Sequence, residues 1–144
     1  MQVYGMDPYF LFLARRLSAT PYVYAYDLNV SAALHGGSGA RPDAPARQRI
    51  LDMQRRHERD LLARMRERPP GAFVFIEHAP MTSFWDDGPR DFEASCPEAA
   101  AWVLEHYREA VRFGVVRVFL PRAAGEGITA PQGSRDGAAA RTPR

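Results

Sequence analysis

The sequence predicts an α/β protein: a small three-stranded parallel sheet flanked by helices, closed by a disordered C-terminal tail. Three observations lead there. Helical and strand patterns alternate along the chain, an order that favours parallel strands joined by crossovers. Each helical segment confines its apolar residues to one face. One strand candidate is apolar throughout, so both of its faces need cover.

The elements follow in order. Asp7-Pro8 supplies a helix start, with Asp as cap and Pro in the first turn. Phe10, Leu13, Ala14 and Leu17 then recur at helical spacing, which predicts a helix over residues 8–18. Thr20-Pro21 breaks it. YVYAYD, rich in aromatic and β-branched residues and bounded by Pro and Asn, predicts a strand over 22–27. Glycines and prolines mark Leu34 to Pro45 as a loop. Ile50, Met53, His57, Leu61 and Met65, widened by Leu51 and Leu62, form the apolar stripe of a long helix over 46–68, which Pro69-Pro70 ends.

AFVFIE predicts the second strand, 72–77. Asp86-Asp87-Gly88-Pro89 has the chemistry of a tight turn. Ser95-Cys96-Pro97-Glu98 has the spacing of a capping box and opens a helix over 97–113. Its stripe is Ala100, Ala101, Leu104, Tyr107 and Val111, and Gly114 closes it. VVRVFL gives the third strand, 115–120. The expected organisation is one α/β domain over 1–122. The tail, 123–144, holds mostly Gly, Ala, Pro, Ser and Arg, too little apolar surface to offset its ordering entropy.

Composition narrows the function classes. At 144 residues the chain can bury one modest core, and 46% hydrophobic with 25% charged residues is ordinary for a globular protein. All nineteen basic residues are Arg, which together with 12 Pro reads as the codon bias of a GC-rich genome. Acidic residues are mixed among the arginines, and no basic run with interleaved aromatics occurs, which argues against nucleic acid as a partner. The single cysteine, Cys96, leaves no internal disulfide and no thiolate set for zinc, and it reads as a small residue at a helix start. No metal or other cofactor is expected. No run reaches the roughly 18 apolar residues of a membrane span, and the N-terminus lacks the basic-then-apolar order of a signal peptide.

Candidate polar sites are few. Glu77 and His78 close the second strand, at the edge where α/β sheets commonly hold ligands. In a parallel sheet Asp27 and Asn29 close the first strand at that same edge, so Asp27, Asn29, Glu77 and His78 are the residues expected to face a ligand. The competing reading is a strand that simply reaches water. Glu77-His78 has no metal-ligand repeat around it. His57 lies inside an apolar stripe and reads as a satisfied boundary histidine. His35-Gly36-Gly37-Ser38-Gly39 lacks the Lys-Ser/Thr of a phosphate loop, and no Ser-His-Asp set can be assembled.

The helix from Asp7-Pro8-Tyr9 to Leu17, PYVYAYDLN, a Gly-rich loop ending Ala40-Arg41-Pro42, a long polar helix, PPGAFVFIE and WVLEHYREAVRFGVVRVFL follow one another over residues 7–122. This succession resembles the extracytoplasmic C-terminal domain of multi-spanning membrane glycosyltransferases of the protein mannosyltransferase and aminoarabinose transferase type. Tyr107, Gly114, Val118 and Phe119 match the closing Tyr and the final Gly-x-x-x-Val-aromatic strand of that pattern. The resemblance implies a parent enzyme that moves sugar from a polyprenyl-phosphate carrier, with its catalytic acid in an early loop between membrane spans. This chain holds neither that loop nor a span, so no catalytic residue carries over. What carries over is a non-catalytic accessory role, as a truncated domain or a freestanding relative. The implied partners are the transmembrane part of such an enzyme and a sugar or polyprenyl-phosphate head group. The implied location is the extracytoplasmic face of the membrane for a piece of a longer protein, and the cytoplasm for a chain complete as written. The alternative is an independent small α/β enzyme or ligand-binding domain.

Overall fold

A computed structural model describes residues 1–5, 9–35, 39, 41–77 and 87–123. Its centre is a four-stranded mixed sheet of β1 (Gln2–Tyr4), β2 (Phe73–Ile76), β3 (Tyr107–Phe113) and β4 (Val116–Pro121), in the order β1-β2-β4-β3. Only β1 and β2 are parallel, with Val3 opposite Val74; β4 runs antiparallel to both β2 and β3. Five helices accompany it: α1 (Tyr9–Leu13), α2 (Ser31–Leu34), α3 (Ala44–Glu67), α4 (Gly88–Ser95) and α5 (Pro97–His106).

The sheet separates two cores. Tyr4, Phe73, Phe75, Tyr107 and Phe119 face Leu61, Leu62 and Met65 of α3, Phe92 of α4 and Ala99, Ala100, Trp102 and Val103 of α5. Four aromatic rings (Tyr4, Phe73, Phe75 and Phe92) meet in tilted or edge contacts 4.8–6.1 Å apart, geometries that add to the burial of their area. On the other face Val3 and Val74 pack with Leu11 of α1, beside Phe10, Val23, Ile76, Val116 and Val118. Two glycines permit this closeness. A Cβ on Gly5 would lie 2.7 Å from the Ile76 Cβ, and one on Gly88 would lie 3.1 Å from the Phe75 Cβ, so α4 starts directly against β2.

Several expectations are corrected. Residues 22–27 are not a strand: Tyr22 and Ala25 are buried beside α3, and Ala25–Asp27 form a single 3-10 turn. Of the run, Tyr22 and Ala25 are buried while Tyr24 and Tyr26 are 40% and 38% exposed. The edge beside β2 is filled instead by β1, too short for a periodicity to show. The helix expected over 97–113 ends at His106, and the chain continues as β3. Gly114, at φ +55, is therefore not a helix end. It opens the two-residue turn between Phe113 and Val116, a position where positive φ favours glycine. The sheet is thus neither three-stranded nor all parallel.

Other assignments hold within a few residues. α3 begins at Ala44, where the Asp43 side chain accepts the Ala46 N–H at 2.8 Å, and β2 and β4 fall inside or beside their predicted spans. The first helix is shorter than 8–18, with Tyr9–Leu13 helical; its expected cap Asp7-Pro8 lies outside the described residues. The α3 stripe is correct at Leu61, Leu62 and Met65, whereas Met53 is 37% exposed. On α5 the buried set is Ala99, Ala100, Trp102 and Val103, one step out of phase with the predicted Ala100, Ala101 and Leu104. Asp87 is the cap of α4, which the turn reading of Asp86 to Pro89 missed. Cys96 caps α5 by position, without the Ser95 capping box. Of the expected tail, residues 124–144 lie outside the described set.

Phe75, 2% exposed and ringed by Tyr4, Phe73, Phe92 and Phe119, tests the core. Phe75→Ala is expected to cost about 3–5 kcal/mol of stability in urea titration, and a loss below about 1 kcal/mol places β2 outside the core.

Candidate functional site

The four residues expected at one sheet edge do not share a set of partners. Asp27 ends the 3-10 turn; its carbonyl oxygen lies 2.7 Å from Nδ1 of His57 on α3. This gives His57 the satisfied boundary position that its sequence context suggested. Asn29 is 2% exposed and donates from Nδ2 to both carboxylate oxygens of Asp91 on α4, at 2.9 and 3.0 Å. Its Oδ1 accepts the Ser31 N–H at 2.9 Å. Glu77 follows β2, where its backbone N–H donates to the Val115 carbonyl. His78 lies outside the described residues.

Two polar clusters take the place of the expected edge, and α4 joins them. In the first, the Tyr4 hydroxyl donates to Asp91 at 2.7 Å while Asn29 donates to the same carboxylate. Asp91 is 4% exposed, and burial raises its pKa above the usual carboxylate range, although the Tyr4 and Asn29 donors act against that rise. The same burial, with the Asp91 charge beside it, pushes the Tyr4 hydroxyl strongly upward.

The second cluster gathers around Arg117. β2 and the β3–β4 hairpin put Phe75, Arg117 and Arg112 in cross-strand register, on the sheet face that α3, α4 and α5 cover. Glu77 projects to that side. Its carboxylate accepts from Arg112 at 2.5 Å and lies 3.5 Å from Arg117. Arg117 also reaches Asp87 at 3.1 Å and Glu109 at 2.6 Å. Burial opposes the charge on Arg117, but Glu109, Asp87 and Glu77 outweigh it and raise its pKa. Asp87 and Asp91 are four positions apart at the start of α4, so the clusters lie about one helical turn, roughly 6 Å, from each other.

Between α4, α5 and the sheet, next to Asp87 and Arg117, is a pocket of about 110 Å³ whose apolar wall is Phe75, Phe92, Val103 and Leu104. At about 30 Å³ per water it accommodates roughly three waters, well short of the roughly 300 Å³ at which pockets begin to enclose substrate-sized ligands. The ionisable side chains lining it are Asp87 and Glu93 with Arg90 and Arg117, two of each sign. Among the described residues no group of three His, Cys, Asp or Glu side chains is placed to hold a metal, and no helix is long and apolar enough to cross a membrane. Cys96 is buried, and burial raises its thiol pKa, which disfavours the thiolate.

Sequence reasoning overlooked Asp91, Arg112, Arg117 and Glu58. Glu58 lies in mid-helix on α3 yet is 8% exposed, because its Oε1 accepts the Glu98 and Ala99 N–H groups at the start of α5. A signal did exist for Arg117: a charged residue between valines in an otherwise apolar strand requires a counter-charge. Comparison of the chain with family models, with curated proteins and with solved structures finds no match.

Two measurements test these clusters. With its folded pKa raised, Asp91 contributes stability that is fully present below the unfolded value near 3.9 and lost as pH rises through the folded value. The stability difference between the native chain and Asp91→Asn should therefore shift against the native chain as pH rises across that window; a difference independent of pH contradicts a raised pKa. Among the described residues, Arg117→Met leaves the buried Glu77 with Arg112 alone, whose side chain is 54% exposed, and should cost about 3 kcal/mol. Adding Glu77→Gln should recover about 1–3 kcal/mol relative to additivity; strict additivity shows that the pair is not coupled.

Proposed function

We propose that the chain is a non-catalytic accessory domain, and that its context is a membrane glycosyltransferase using a polyprenyl-phosphate-linked sugar. The context rests on the resemblance of residues 7–122. The non-catalytic part rests on one observation: Glu77, the strand-end carboxylate on which a working edge depends, is 5% exposed and held by Arg112 and Arg117. A general base needs a carboxylate that can take a proton from a bound substrate, and this one is committed to two guanidinium groups. Asn29 is equally committed to Asp91. Glu77 and Asn29 thus join elements of the fold through their side chains.

A second reading, a small ligand-binding domain, is favoured by the pocket beside Arg117. Its ligand would be a compact molecule, to suit the volume.

The test is an assay of the purified 144-residue chain with a polyprenyl-phosphate sugar and an acceptor. No transfer is expected. Transfer that Glu77→Gln abolishes overturns the accessory reading and makes Glu77 a working acid or base.

A further inference from the structure

The sheet face opposite the helical layer is charged very differently from the rest of the molecule. By strand register the positions on this face are Val3, Val74, Ile76, Arg108, Val111, Phe113, Val116, Val118 and Leu120. None is acidic. Phe10, Leu11 and Val23 lie over the face, and residues 9–23, which include Arg15 and Arg16, contain no Asp or Glu. The thirteen described carboxylates are all elsewhere: on α3, α4 and α5 or their caps, at Glu77 and Glu109 facing that layer, and at Asp27 beside His57.

This side, on which no described residue is acidic, also carries the most exposed large apolar residues. Leu11 anchors α1 to the sheet, while Tyr9, Phe12, Leu13 and Leu17 are 72–89% exposed, and Phe113 on β3 is 67% exposed. Isolated exposed apolar residues are common on protein surfaces. Four within nine residues, next to two exposed arginines, form a patch. Leu11, Phe12, Arg15, Arg16 and Leu17 line an open groove of about 400 Å³ along it.

We infer that this face docks on an anionic lipid bilayer, with Phe12, Leu13 and Leu17 entering the boundary between head groups and acyl chains and Arg15 and Arg16 pairing with lipid phosphates. Charge selects this occupant. Exposed apolar side chains flanked by arginine are the combination that holds a peripheral segment at an interface, and among the described residues no carboxylate lies on this face to repel anionic head groups. A second copy of the chain would instead bring the same arginines against each other. The inference stands apart from the accessory reading, which concerns transfer chemistry and is untouched by the outcome below.

The experiment is co-sedimentation of the full chain with vesicles of phosphatidylcholine, with and without phosphatidylglycerol. Binding is expected only with phosphatidylglycerol and should weaken as salt is raised. Removing each arginine should weaken it about fivefold, so Arg15→Gln/Arg16→Gln loses most of it, as does Leu13→Ser/Leu17→Ser; circular dichroism of both variants checks the fold. Arg59→Gln/Arg66→Gln removes the same charge from the exposed surface of α3 and should bind like the native chain. Several results overturn the inference. They are absence of binding, binding indifferent to phosphatidylglycerol, equal weakening by the α3 variant, or a dimer broken by Leu13→Ser/Leu17→Ser in place of vesicle binding.

Discussion

β2 has no polar side chain, and the rest of the molecule is arranged around that constraint. Phe73, Val74 and Phe75 are each 1–2% exposed, so the strand needs a neighbour on both edges and a layer on both faces. β1 and β4 take the edges. The helical layer takes the phenylalanine side and α1 takes the valine side. Gly5 and Gly88 sit where the chain passes close to this strand: a methyl group on Gly5 would collide with Ile76, and one on Gly88 would press tightly on Phe75. The hydrophobic demand of four residues thus fixes the layer order, and through it the positions at which polar groups become buried.

Those buried polar groups bridge segments far apart in sequence. Asp91 ties β1, the Asn29 loop and α4 together; Glu58 ties α3 to the start of α5; Glu77 and Arg117 tie the end of β2 to the hairpin and to α4. Each is nearly desolvated and nearly satisfied. Such contacts add little net stability compared with apolar packing, but breaking one leaves an unpaired buried group, which is costly. Their effect is therefore on uniqueness: an alternative packing of these helices would strand a carboxylate.

The parts legible in the sequence were those carried by long or uniform patterns. α3 showed itself through many turns of amphipathic periodicity, and β2 through an unbroken apolar run. Short or irregular elements escaped. β1 is three residues long, too few for any period. β3 carries a bulge between Glu109 and Val111; the extra residue breaks the two-residue alternation, leaving Tyr107 and Val111 four apart in helical disguise. YVYAYD misled because a run of bulky side chains carries no sign of whether it pairs, and here its second half turns into a 3-10 helix with Tyr24 and Tyr26 exposed. The sequence singled out Asn29 and Glu77 as ligand-facing, whereas both are buried with protein partners; those partners, Asp91, Arg112 and Arg117, come from remote segments, and no local pattern announces a contact of that kind.

The pairing of β1 with β2 has a consequence for the order of assembly. Gln2 lies opposite Phe73 across roughly seventy residues of chain, whereas β3 and β4 are joined by a two-residue turn. Closing the long loop costs more chain entropy than closing the short one, and nothing local repays it in advance. The hairpin can form on its own and offer β4 as a template for β2, after which α3 and α5 have a surface to cover. On loop-closure entropy alone β1 is expected to pair last. Until it does, one edge of β2 is bare beside its valines and phenylalanines, and the newly made chain is most open to pairing with a neighbour in that interval.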